Sequence, residues 1–264
     1  MVLVSLASTM AYVTATGEPP SHHQIKPKMN WDALFLSLKL AAVVCAILLL
    51  LGLPIAYWIA FAHFRGKFIV ESIVALPLVL PPTVLGFYVL VATGNQSPLG
   101  RLYQSWSGHL LPFTFEGLAV ASVIYSLPFA VQPMVASFSL VDRNLLNASA
   151  ILGASRMRTF FRIVLPLSMG GVITGMVLSF AHTLGEFGVV LMVGGNIPGV
   201  TETISIAIYD DVLALDYARA NHTALVLLIF SFVVLSIMYS LNRKISTPWT
   251  LRRDHAIASP SAAK

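Results

Sequence analysis

The chain has 264 residues, 57% of them hydrophobic and 10% charged, with a mean hydropathy of +0.82. Soluble domains carry about 25% charged residues, so the surplus apolar surface must face lipid, and a soluble enzyme or nucleic-acid-binding domain is excluded. Sixteen Lys and Arg against eleven Asp and Glu leave +5, which in a membrane chain records the loops that face the cytoplasm. The single cysteine, Cys45, lies in an apolar run and reads as a small buried hydrophobe rather than a disulfide partner.

Residues 1–28 open the chain ambiguously. The first sixteen are apolar but short, without the cationic start of a secretory signal, and 17–28 are polar and contain proline. Met29 precedes the first convincing span and is a candidate start, so 1–28 is expected to be a dispensable extension, with a sixth span as the alternative. A span needs about 20 apolar residues, and five stretches qualify: 33–62, 68–92, 117–141, 163–184 and 223–241. Arg65 and Lys67, then Arg143, Arg156, Arg158 and Arg162, then Arg243, Lys244, Arg252, Arg253 and Lys264 hold eleven of the sixteen cations. Five spans that start outside put all three groups in the cytoplasm, as the positive-inside rule requires. Lys39, near the outer end of the first span, can snorkel.

The second span contains Pro77, Pro81 and Pro82, followed by Thr83 and Gly86. Prolines free backbone carbonyls and break the helical ladder, which suits a helix lining a pathway. Between the third and fourth spans, residues 147–166 read as a helix–glycine–helix elbow. Leu145, Leu146, Ser149 and Leu152 fall on one side of a short helix. Gly153 suits the left-handed residue that ends it, and Ser155 can cap the next helix. Such a basic elbow is shaped to dock into a partner; an ordinary basic surface loop is the plain alternative. After the fourth span, 186–221 contains two apolar pieces too short to cross, separated by Gly194-Gly195-Asn196-Ile197-Pro198-Gly199. This reads as a partly re-entrant segment plus an outer loop. Glu186 is the one carboxylate at the outer end of the fourth span and a pathway candidate. His182, four residues earlier, can pair with it on one helical face, but two ligands are too few for a metal site.

The elbow resembles the EAA loop of importer-type ABC permeases: Glu-Ala-Ala, three residues, Gly, nine residues, Ile, one residue, Leu-Pro. Counting from Asn147 through Ala148 and Ser149 to Gly153 and on to Ile163, Leu165 and Pro166 reproduces every interval. Asn147 replaces the Glu, which removes its carboxylate from any salt bridge, and Ser149 replaces the second Ala. The stretches 76–86 and 182–210 are similar to those of the permease subunits of molybdate ABC importers. The resemblance spans about 30–241. It implies an all-α membrane protein of five core helices with MetI-like architecture in the bacterial inner membrane, N-terminus outside and C-terminus cytoplasmic. It further implies a permease domain over 29–245 with a coupling loop at 142–166, and 246–264 is expected to be a disordered cytoplasmic tail.

The implied partners are a second copy of the chain, two ATP-binding cassette subunits, an extracytoplasmic molybdate-binding protein and membrane lipid. The implied coupling residues are Asn147, Ala148, Ser149, Gly153, Ser155, Arg158, Leu165 and Pro166. Pathway or gate residues are Pro77, Pro81, Pro82, Thr83, Gly86, Glu186, Phe187 and Gly188. No phosphate-binding G-x-x-x-x-G-K-[ST] loop, metal spacing or catalytic set occurs in the sequence. No cofactor is therefore expected, and ATP would be hydrolysed by another chain. A permease for sulfate-like oxyanions is the nearest alternative. A secondary transporter lacks its expected mid-membrane charges, and a membrane enzyme lacks a convergent site.

Overall fold

The computed structural model describes residues 30–62 and 64–257, all of its regular elements helical. The expected extension 1–28 lies outside them. Helix α1, Trp31–Phe61, begins where the Asn30 side chain accepts the Ala33 amide at 3.0 Å. Its 31 residues reach about 46 Å, enough to cross with length to spare. Leu36, Leu40, Val44, Leu48, Gly52 and Ala56 recur every fourth residue and form its buried stripe. Leu50, Trp58 and other apolar side chains cover the opposite face. Apolar residues on both faces mark a helix between protein and lipid.

The second stretch is not one helix, contrary to expectation. Helices α2 (Lys67–Val79) and α3 (Pro82–Thr93) meet at a 113° bend. Leu80 is extended, as a residue before proline prefers, and Pro82 starts α3, where its missing amide costs nothing. Each half is about 20 Å long or less, too short to cross alone. Between the second and third expected stretches lies a helix, α4 (Pro98–Ser107), capped by Ser97 through the Gly100 amide at 2.8 Å.

Helix α5 (Phe115–Ser139) is the centre of the molecule. It is capped by Thr114, packs against both α1 and the later α8, and buries Leu118, Ser122, Ser126, Ala130, Met134 and Phe138. Helix α6 (Arg143–Ile151) leads into α7 (Arg156–Leu167), which contains a π-helical turn over Phe160–Val164. Pro166 explains that turn. Proline lacks an amide and crowds the carbonyl four residues back, and the wider turn lets the Leu165 amide reach the Phe160 carbonyl instead.

The chain then bends by 73° into α8 (Met169–Gly185), so the fourth expected stretch is a broken span. The bend is held at buried Ser168: its hydroxyl donates to the Ser137 carbonyl at 3.2 Å, and the Ser137 hydroxyl donates back to the Ser168 carbonyl at 3.3 Å. Short helices α9 (Gly188–Gly194) and α10 (Ile204–Leu213) follow. With 7 and 10 residues, both are too short to cross alone, and Val189, Val190 and Val193 of α9 and Ile204, Ile206 and Ala207 of α10 are buried. Helix α11 covers Tyr217–Ile257, continuing past 246 where a disordered tail was expected.

Candidate functional site

The elbow is built from local rules. Asp142 caps α6 by accepting the Asn144 amide at 2.8 Å. At the far end, the Gly153 amide donates to the Ala150 carbonyl and the Ala154 amide to the Ser149 carbonyl, both at 3.0 Å. This is the paired bonding of a Schellman turn. Gly153 has φ +74°, the left-handed region in which glycine is strain-free. Two residues on, the Ser155 hydroxyl accepts the Arg158 amide at 3.3 Å and starts α7.

Ser149 is buried, and its hydroxyl meets that of Thr159 at 2.7 Å, tying the two arms together. Leu146 packs on the core, whereas Leu152 is 85% exposed, so these residues do not share a face as expected. The apolar tip is formed by Ile151 and Leu152, with Asn147, Ala148 and Arg158 exposed beside it.

Phe160 anchors the elbow to the membrane helices. Its ring meets Tyr57 of α1 edge-on at 5.2 Å and Phe138 of α5 at 6.1 Å. Leu165 is half-buried and Pro166 exposed in the last turn of α7. From Ser168, α8 runs as a 17-residue rod of about 25 Å to Glu186. The elbow and the expected gate residues Glu186, Phe187 and Gly188 are thus joined through α7, the Ser168 bend and α8.

At the other end the two proline- and glycine-rich stretches come together. A Cβ on Gly86 of α3 would lie 2.7 Å from Met192 Cβ and 3.3 Å from Val189 Cα, and one on Gly188 would lie 2.7 Å from Pro82 Cβ. Helices α3 and α9 therefore approach backbone to backbone. Pro77 is buried in α2, while Pro81 and Thr83 are exposed at the bend. Phe187 stacks at a tilt on Tyr209, 4.9 Å between centroids.

Glu186 is only 5% exposed, and its Oε2 accepts the Ser122 hydroxyl at 3.1 Å. His182 does not pair with Glu186. Its Nδ1 instead faces Ser126 Oγ at 2.9 Å, and that hydroxyl also meets Thr183 Oγ1 at 3.0 Å. Its ring lies on Phe129 at 4.0 Å. Carboxylate and imidazole are each taken by a serine of α5, which relieves them of each other. Ser122 and Ser126 were missed from sequence, although two hydroxyls four apart in an apolar span are a readable signal. Among the described residues no group of three or more His, Cys, Asp or Glu could hold a metal.

Outside these helices, a polar clamp joins distant segments. Asn30 Nδ2 donates to Glu202 Oε1 at 2.9 Å, Asn196 donates to Asp210, and Arg219 pairs with Asp211. Burial first, then the charge of Asp210, pushes the Glu202 carboxyl above the ordinary carboxylate range.

Residues 49–247 match the family model described as the binding-protein-dependent transport system inner membrane component. The chain is 50% identical over 211 residues to the molybdenum transport system permease protein of Azotobacter vinelandii, covering 80% of this chain and 93% of that one. A match of that length necessarily takes in the middle of the chain, the elbow included. The corresponding protein of Escherichia coli K12 is 39% identical over 68% of this chain and 79% of its own. The fold is similar to a crystal structure of a bacterial alginate ABC transporter in complex with its pentasaccharide-bound periplasmic protein. There the TM-score is 0.66 at 17% identity, over 93% of this chain and 95% of the other. With its helices long and apolar enough for a multi-pass membrane protein, the chain belongs to the family of inner-membrane permease components of binding-protein-dependent transport systems.

Proposed function

We propose that this chain is the permease subunit of an ATP-driven importer for molybdate, with tungstate as a second substrate. The observation that carries the reading is its kinship with molybdenum permeases over most of its length. Two copies form the pathway, two separate ATPase chains bind the elbows from the cytoplasm, and a binding protein delivers the anion from outside. The cationic loops at 65–67 and 142–162 support a cytoplasmic elbow and an external N-terminus.

The mechanism is conformational. The exposed Ile151–Leu152 tip and its flanking arginines supply an apolar knob with a charged rim for docking. Motion of the ATPase pair moves α7, the Phe160 ring carries it into α1 and α5, and α8 carries it to Glu186 and the α3–α9 contact. Moving a dianion through hydrocarbon costs several kcal/mol or more, so a protected wet route is required. No Lys or Arg lies at mid-span to trap the anion. Selectivity therefore belongs to the binding protein, and the permease hands the anion on.

The test is accumulation of molybdenum in a bacterium whose own molybdate permease has been deleted and replaced by this chain with its transport partners. The reading expects uptake that tungstate suppresses and equimolar sulfate does not. Sulfate accumulation, or undiminished molybdate uptake without the binding protein, would overturn it.

A further inference from the structure

An apolar groove of about 540 Å³ runs between α1 and α7, away from the elbow tip and the gate. Its walls are Leu49, Leu50, Leu53 and Tyr57 of α1, with Met157 and Phe161 of α7, and Arg156 stands at its rim. Three features on the page define what fits. The groove follows α1 from Ala46 to Tyr57, about 16 Å of axis, close to half of a bilayer's hydrocarbon core of about 30 Å. Its lining is otherwise apolar apart from the Tyr57 hydroxyl, and Tyr57, at the opposite end of the α1 wall from Ala46, meets Phe160 of α7, an aromatic residue of the kind that sits at headgroup level. Arg156 is exposed, and among the described residues no carboxylate forms an ion pair with it.

We infer that this groove binds one anionic phospholipid, an acyl chain lying along Leu49–Leu53 and the phosphate held by Arg156. Charge complementarity selects this occupant. A guanidinium forks onto a phosphate with two parallel hydrogen bonds, and the positive loops 65–67 and 142–162 place further cations at the same membrane surface. The apolar residues 1–16 contain no acidic side chain and would leave Arg156 without a counter-ion. An ATPase chain in the aqueous phase would not reach the part of the groove beside Ala46. The lipid bears directly on Met157, Phe160 and Phe161, so it braces the arm between the elbow and α8. Which leaflet supplies it follows from the proposed orientation; the site itself does not depend on that.

The test places a photoactivatable benzoylphenylalanine at Leu50, which is 75% exposed, in the full chain. The protein is reconstituted in vesicles of equal parts phosphatidylglycerol and phosphatidylcholine, irradiated and analysed by mass. The expected product is a phospholipid adduct enriched about fivefold in phosphatidylglycerol, the effect of one basic residue at a membrane surface. That enrichment should fall to parity in Arg156→Gln while labelling continues. Four results would overturn the inference: an adduct to residues 1–16, an adduct to a second copy, no adduct, or a lipid ratio unchanged by Arg156→Gln.

Discussion

Replacing Gly153 isolates the elbow turn from everything else in the molecule. With φ at +74°, any residue bearing a Cβ is strained there, yet a Cβ built on this glycine meets nothing within 4 Å. Crowding is thereby removed as an explanation, and the backbone term stands alone. Alanine should cost about 1 kcal/mol, and valine, branched at Cβ, more. Between 1 and 2 kcal/mol corresponds to roughly a 5- to 30-fold loss of the formed turn. If docking requires that turn, the ATPase chain should bind weaker by the same factor. Asn should fall between Gly and Ala, because it tolerates the left-handed region. The assay is affinity of the purified permease for its ATPase chain, with detergent-solubilised yield as the control for insertion. Insertion should be unaffected, since a Cβ at this position meets nothing within 4 Å. Equal ATPase affinity in Gly, Asn, Ala and Val forms would refute the reasoning.

Gly86→Val forces α3 away from Met192 and Val189 of α9; overpacking of this kind costs about 1–3 kcal/mol, so the melting temperature in detergent should drop and uptake should be lost. Arg158→Glu reverses an exposed charge beside the elbow tip; co-purification of the ATPase chain should weaken at low salt, and the difference from wild type should shrink as salt rises. Glu202 lies outside the membrane helices with its carboxyl raised mainly by burial. The folded state therefore holds that proton more tightly than the unfolded one. Its favourable contribution is complete at acid pH and declines as pH rises above about 4.5, the ordinary value. Glu202→Gln keeps an acceptor for Asn30 and should stabilise the protein at neutral pH while flattening that dependence, as thermal melts across pH would register.

The elbow was legible because its chemistry is local. A glycine and a following cap specify a Schellman turn and a restart without reference to the rest of the fold, and Gly153 and Ser155 do so here. The long α1 and α5 were legible from hydropathy alone. The breaks were not. Hydropathy sums over a window and cannot separate one crossing helix from two halves at 113°, although Pro81-Pro82 stood at the break. The π turn ahead of Pro166 is local, but the bend at Ser168 depends on Ser137, a residue 31 positions away in sequence. The pairing of Glu186 with Ser122 rather than His182 is likewise tertiary. Spacing of four made His182 and Glu186 neighbours on a helix face, but packing against α5 gave each a serine instead.

The most direct measurement is molybdate entry into proteoliposomes containing this chain, with its ATPase chain and binding protein supplied separately. Uptake should occur only when both are present and ATP is hydrolysed, and should be lost when the ATPase chain is omitted. Molybdate entry driven by an ion gradient without the ATPase chain would contradict a permease worked through the elbow at Gly153.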